Sequence, residues 1–142
     1  MRDTARTMSQ ERLLETVRRL YNNVWTGDLD AAPGVLHPEI VWTAIESAPD
    51  AGRRSGYAEC RAHMEDWLED FEMEPFVIEA RGKTPDGRLV CDQVGAGTGK
   101  GSGLRTEIRY GAVYRFGGDG RIQEIHEYAT TQEALEAAGL SE

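Results

Sequence analysis

The stretch IRYGAVYRFGGDGRIQEIHEYA, residues 108–129, alternates large apolar and polar side chains on both sides of a glycine-rich break. Strand side chains point to opposite faces in turn, so the pattern marks two half-buried strands joined by a two-residue turn at Asp119-Gly120 or Gly118-Asp119. Both registers give the same faces. One carries Ile108, Tyr110, Ala112, Tyr114, Phe116, Gln123, Ile125, Glu127 and Ala129; the other carries Arg109, Gly111, Val113, Arg115, Ile122, Glu124, His126 and Tyr128. The first face holds more large apolar groups and is the inward one. Glu127 is its only formal charge, so this carboxylate is either functional or close enough to the rim to reach water. The second face is mixed and amphipathic, with Arg115 and Glu124 opposed in one register, as homodimers formed through a sheet require.

Upstream, Ser9 is placed to cap a helix whose Leu13, Leu14, Val17, Leu20, Tyr21, Val24 and Trp25 fall near the spacing of one face, with Gly27 ending it after Thr26. Leu29 to Leu36 reads as a short second helix with Pro33 near its first turn, closed by Pro38. Ile40 to Ile45, β-branched and aromatic, is a first strand, and Pro49, Asp50 and Gly52 make Glu46 to Arg54 a loop. Ser55 is a cap for a third helix from Gly56 to Asp70, on which Cys60, His63, Met64, Trp67 and Leu68 recur periodically. Strands over Glu72–Lys83 and Arg88–Gly99, turning at Pro85-Asp86-Gly87, precede the hairpin, and a short helix over Thr131–Ala138 stops at Gly139.

A chain of 142 residues supports one domain with a real core, here residues 9–138 between a flexible segment 1–8 and a tail 139–142. A mean hydropathy of -0.54 without a long apolar run excludes a membrane-spanning helix. Net charge -9 and a pI near 4.9 disfavour nucleic acid, whose phosphates need a basic surface. The polar first ten residues lack the apolar core of a signal peptide, which makes the cytoplasm the expected location. Cys60 and Cys91 lack metal-ligand spacing and read as buried thiols. The segment Gly95-Ala-Gly-Thr-Gly-Lys-Gly-Ser-Gly103 resembles a phosphate loop but has Val94 and Gly101 where a Walker loop needs Gly and Ser or Thr, so it reads as a bent strand end. The acids Glu65, Asp66, Glu69, Asp70, Glu72 and Glu74 lack a patterned His partner and read as a solvated helix end. No metal or organic cofactor is called for.

The order helix, short helix, strand, long helix, then four antiparallel strands resembles the NTF2-like superfamily, in its SnoaL-like and ketosteroid-isomerase-like branch. Thr26-Gly-Asp-Leu-Asp30, Leu36-His-Pro-Glu-Ile-Val-Trp42, Ser55-Gly56 and Tyr114-Arg-Phe-Gly-Gly-Asp-Gly-Arg-Ile122 carry the resemblance over about Ser9 to Ala138. It implies an α+β fold: a cone-shaped, curved antiparallel sheet wrapped against three N-terminal helices, enclosing an apolar pocket, with a short C-terminal helix and commonly a homodimer. Fold alone does not name an activity, because the superfamily holds isomerases, hydrolases, cyclases and binding domains. The ketosteroid isomerase positions fall near Ala44, Ala112 and Leu20, with Tyr21 one place off, which removes that chemistry. Limonene epoxide hydrolase resembles the chain at its last catalytic carboxylate, which aligns with Glu127, while its strand-three Arg and Asp align near Val94 and Ala96.

The same alignment turns His63 and Trp67, four residues apart on one helix, toward the pocket with Trp42, Tyr110 and Tyr114. Glu127 and His63 are the candidate acid/base pair, with Trp42, Trp67, Tyr110, Ala112, Tyr114, Phe116 and Ile125 as candidate ligand contacts. His63 is equally readable as a core histidine, and the aromatics as packing. Glu46 and Asp50 offer loop acids at the rim. Two functions follow: cofactor-independent acid/base catalysis on a small apolar or amphipathic molecule, or a non-catalytic binding or association domain.

Overall fold

The computed structural model describes residues 8–45 and 52–140, so the loop acids Glu46 and Asp50 and residues 1–7 of the N-terminal segment lie outside the description. Helix α1 (Gln10–Thr26) starts where the Ser9 hydroxyl accepts from the Arg12 N–H at 3.2 Å and ends at Gly27, whose φ of 80° returns its N–H to the Val24 carbonyl. Its buried side, Leu13, Val17, Leu20, Tyr21 and Val24, follows the stripe that the periodicity marks, except that Leu14 is half-buried and Trp25 is exposed. A 3-10 helix (Leu29–Gly34) leads into β1 (Leu36–Thr43), then β2 (Arg53–Ser55), α2 (Tyr57–Asp70), β3 (Phe71–Met73), β4 (Val77–Lys83), β5 (Leu89–Gly99), β6 (Arg105–Phe116), β7 (Ile122–Tyr128) and α3 (Thr131–Ala137).

The strands form one strongly curved sheet in the order β2-β1-β7-β6-β5-β3, with β4 also on β5. The N-terminal helices pack against its concave face around Leu13, Leu20, Trp42, Met64 and Tyr114. This is the expected α+β architecture, with one pairing of the opposite sense: β1 runs parallel to β7, Trp42 beside Ile125, while the remaining pairs are antiparallel.

Several local expectations change for identifiable reasons. Strand β1 begins at Leu36 and contains Pro38, in a stretch where the register with β7 shifts between Leu36 and Val41, so the proline costs no regular ladder bond. Residues 53–55, expected as loop, pair with β1. Ser55 does not cap α2; Gly56 at φ 84° makes the turn into the helix, and the Ser55 N–H instead donates to Glu59 Oε1 at 2.8 Å. The expected strand 72–83 is broken around Pro75 into β3 and β4.

The hairpin loop has three residues, not two. Gly117 N–H donates to the Arg121 carbonyl at 2.8 Å, leaving Gly118-Asp119-Gly120 outside the ladder with Gly120 at φ 85°. The extra residue slips the register by one, and a bulge past Phe116 restores it, so Arg115 faces Glu124 while Ile122 faces Phe116. Ile122 therefore leaves the outer face, where it was expected, and joins the core with no exposed surface. Arg115 and Glu124 form the expected ion pair at 3.0 Å.

Helix α3 covers part of the outer face that self-association was expected to use. Thr130 and Glu133 form a reciprocal capping box, and Ala134 and Ala138 pack on Val90 and Val113. Gly111 permits the approach: a Cβ there would lie 2.6 Å from Thr131 Cα. Asp92, buried on that face, accepts from Arg109 Nη2 at 2.6 Å and Thr131 Oγ1 at 2.8 Å, with Arg81 at 3.6 Å. At the other end, Met8 packs on the core and its carbonyl accepts from Lys83 Nζ at 2.8 Å. Cys60 and Cys91 are buried and free, burial pushing their thiols up to about 11 and about 12. No helix among the described residues is long and apolar enough to cross a membrane.

The hydrogen bond from Arg109, aided by Thr131 and opposed by burial, holds the Asp92 carboxyl below its ordinary value. A carboxyl with a folded pKa below its unfolded value stabilises the fold above pH about 4 and stops doing so as pH falls through the folded value. Asp92→Asn is therefore expected to lower the urea midpoint at pH 7 and to flatten its decline below pH about 4. An unchanged acid limb would remove Asp92 as the anchor of α3.

Candidate functional site

Alternation along β7 turns Glu127 inward, directly opposite Ala112 on β6, whose methyl leaves room for the longer side chain. The parallel neighbour β1 brings Trp42 to the same face. Trp42 Nε1–H donates to Glu127 Oε2 at 3.0 Å, and the backbone N–H of Ile45, just past the end of β1, donates to Oε1 at 3.3 Å. Each carboxylate oxygen thus has a fixed donor, although the residue is only 8% exposed. Donors of this kind favour the charged form and offset part of the desolvation cost.

Helix α2 places His63 and Trp67 one turn apart. With Trp42 they form a cluster of edge-to-face rings: Trp42–His63 at 5.1 Å, Trp42–Trp67 at 5.7 Å and His63–Trp67 at 4.6 Å between centroids. The Trp42 indole links the two predicted acid/base residues, its ring meeting His63 and its N–H meeting Glu127.

Deeper still lies a chain of polar groups that no single segment advertises. The Tyr114 and Tyr21 hydroxyls stand 3.0 Å apart, Tyr114 donates to Gln93 Oε1, and Gln93 Nε2 donates to the Tyr110 hydroxyl at 3.0 Å. Burial, with the negative charge of Glu127 next, raises the Tyr21 hydroxyl above its ordinary value. Burial first, then Tyr21 and Glu127, do the same for Tyr110, so both stay neutral donors.

A cavity of about 180 Å³ opens between Glu127, Tyr110, Trp67, Phe76 and the inward face of β5 and β6. Of the candidate residues, Glu127, Trp67 and Tyr110 line it. Trp42 and His63 stand behind that wall, and Ala112, Tyr114, Phe116 and Ile125 lie in the closed core under α1. The sequence reading missed Phe76, Gly95, Gly97 and Ile108 on the wall and Tyr21 and Gln93 in the polar chain. Part of the signal was present: Gln93, Gly95 and Gly97 continue the inward side of β5, opposite Tyr110, Ile108 and Thr106. The glycines leave the cavity empty and seat its wall, since a Cβ on Gly95 would lie 2.8 Å from the Phe76 ring and one on Gly97 3.1 Å from Phe71 Cβ.

The glycine-rich segment runs from β5 through a hairpin loop into β6, so no helix N-terminus stands where a phosphate loop needs one. No group of three or more His, Cys, Asp or Glu among the described residues converges as metal ligands would. Glu65, Asp66, Glu69, Asp70 and Glu72 are exposed, and Glu74 pairs with Arg105 at 2.7 Å.

A family model for the SnoaL-like domain matches residues 17–125. The chain belongs to the SnoaL-like family. The matched stretch takes in the latter part of α1, the glycine-rich strand and most of the hairpin, and stops just before Glu127. Among solved structures, this SnoaL-like protein is similar to a proposed isomerase from Bacillus subtilis at 19% identity and a TM-score of 0.74, covering 94% of this chain and 98% of that one. A proposed polyketide cyclase from Xanthomonas campestris matches at 19% identity and a TM-score of 0.65, covering 89% and 96%. The epoxide hydrolase/cyclase-like enzyme SalBIII, of pyran ring formation in salinomycin, matches at 19% identity and a TM-score of 0.66, covering 84% and 92%. At these identities the likeness shows the NTF2-like fold. No curated protein sequence matches the chain.

The Trp42–Glu127 bond is testable by a double-mutant cycle of Trp42→Phe and Glu127→Gln in urea unfolding. A hydrogen bond to a buried charge predicts a coupling of about 1.5–3 kcal/mol. Coupling near zero would show that the indole packs without holding the carboxylate.

Proposed function

We propose that this protein binds a compact, mostly apolar molecule bearing a carbonyl or epoxide in the cavity at Glu127, and that Glu127 moves a proton on it as general base and then general acid. The observation that carries this reading is the carboxylate itself: buried, oriented by Trp42 and Ile45, and facing an apolar cavity. A carboxylate oxygen can accept more than one hydrogen bond, so a fixed donor on each oxygen is compatible with taking a substrate proton. In the first step that proton leaves a carbon beside a carbonyl, or an attacking hydroxyl, and passes to Glu127. In the second, Glu127 returns it to the carbon or oxygen that has gained the electron pair.

Tyr110 supplies the complementary donor. Its hydroxyl accepts from Gln93 and is hydrogen-bonded to the Tyr21 hydroxyl, from which its proton turns to an oxygen that gains negative charge, and its raised pKa keeps it a donor rather than a competing acid. Isomerisation, ring closure and epoxide opening, the chemistries named for the structural neighbours, each need such a proton transfer. The cavity volume of about 180 Å³ restricts the bound part to a compact group. A binding domain without catalysis is the second reading, favoured by the tight aromatic packing that surrounds His63 and Trp42.

Thermal shift against a library of small carbonyl and epoxide compounds, followed by turnover assays of the stabilising compounds, separates the two. A ligand at a hundred times its Kd stabilises by about 2.7 kcal/mol. Glu127→Gln is expected to keep much of that shift and to lose about 10²–10⁴-fold in kcat. Equal turnover in both proteins would remove Glu127 from catalysis, and ligand binding without turnover in the unaltered protein would select the binding domain.

A further inference from the structure

A second concavity, of about 370 Å³, lies on the other side of Phe76 from the Glu127 cavity, between α1 and the chain entering β4. Its α1 wall is Glu15, Arg18, Arg19, Asn22 and Trp25, spaced three and four residues apart along the helix, together with the buried Tyr21. Its opposite wall is Pro75, Phe76 and Ile78. We propose that this groove is a binding site for a planar aromatic molecule carrying one anionic group, distinct from the cavity at Glu127.

Three features support the assignment. First, the groove holds two guanidinium groups in a protein of net charge -9. Arg18 donates through Nη2 to the Ile78 carbonyl at 2.7 Å, which fixes its guanidinium while leaving further N–H donors. Arg19 has no ion-pair or hydrogen-bond partner among the described residues, and Glu15, although in reach along the helix, pairs with neither arginine. Charge complementarity therefore calls for an anion.

Second, the indole of Trp25 is 41% exposed, unusual for a side chain of its size, and it is not free to turn. Its Nε1–H donates to Asn22 Oδ1 at 3.1 Å, one helical turn back, so the ring is set in place with its one polar atom satisfied. A fixed aromatic surface beside cations suits a flat ring bearing a negative group, and fixing it beforehand lowers the entropy lost on binding. Third, the volume falls within the range of about 300–1,000 Å³ typical of small-molecule sites.

The probe is anilinonaphthalene sulfonate, with neutral phenylnaphthylamine as its uncharged counterpart, titrated by fluorescence into protein whose folding is verified by circular dichroism. Arg19→Glu and Trp25→Ala alter the groove, while Arg18 is kept because it joins α1 to β4. Ile108→Trp, at a half-exposed position of the other cavity, blocks that cavity without touching the groove. Arg19→Glu is expected to weaken sulfonate binding on the order of tenfold and to leave phenylnaphthylamine unaffected. Trp25→Ala is expected to weaken both, and Ile108→Trp neither. Sulfonate binding that survives Arg19→Glu and Trp25→Ala, or that is lost in Ile108→Trp, overturns the proposal.

Discussion

The hydrogen bond from the Trp42 indole to Glu127 joins the two requirements this fold must meet together. It fastens β1 to β7 beyond the parallel ladder, and it lets a carboxylate remain in a region otherwise made of aromatic rings. A hydrogen bond to a charged group is worth about 1.5–3 kcal/mol, and its loss would leave one buried carboxylate oxygen without its indole donor. The ring of the same tryptophan meets Tyr21, His63 and Trp67, so one side chain couples α1, α2 and the sheet to the position of the acid. Stability and the candidate chemistry share a residue.

The concave face divides according to side-chain size. Along the inward side of β6, Ala112, Tyr114 and Phe116 join the closed core with the buried residues of α1, and Tyr110 lines the cavity. Along β5, Cys91 and Gln93 give way to Gly95 and Gly97, and the volume that side chains would have taken becomes cavity. The polar chain of Tyr21, Tyr114, Gln93 and Tyr110 lies at the boundary between the filled and empty halves. Satisfying one another there lets three hydroxyls and an amide be buried, since each unsatisfied group would cost about 1–3 kcal/mol.

Particular elements show how far local pattern carries. Helix α1 was legible from cap to stop because Ser9, the apolar stripe and Gly27 each act within a turn of their own position. The inward placement of Glu127 was legible because the bulge restores the expected register before that residue. Ile122 was misplaced for the complementary reason: a three-residue loop and a bulge, which hydropathy does not encode, moved it across the sheet. Ser55 looked like a helix cap, yet Gly56 supplied the turn by its left-handed backbone and Ser55 went to β2. His63 and Trp67 were paired correctly by helical spacing, but only packing decided that Trp67 lines the cavity and His63 stands behind it.

By itself the sequence determined the order of the longer helices and strands, most of the buried stripe of α1, the faces of the final hairpin apart from Ile122, and the one carboxylate on its inner side. These follow from interactions between residues close along the chain, where period and capping chemistry suffice. Tertiary structure alone decided that β1 lies parallel to β7, that Trp42 and Ile45 bind Glu127, and that two glycines and Phe76 leave a cavity before it. Those contacts span up to 85 residues between partners, and their geometry depends on sheet curvature and on which neighbouring side chains are small. No local pattern records either quantity.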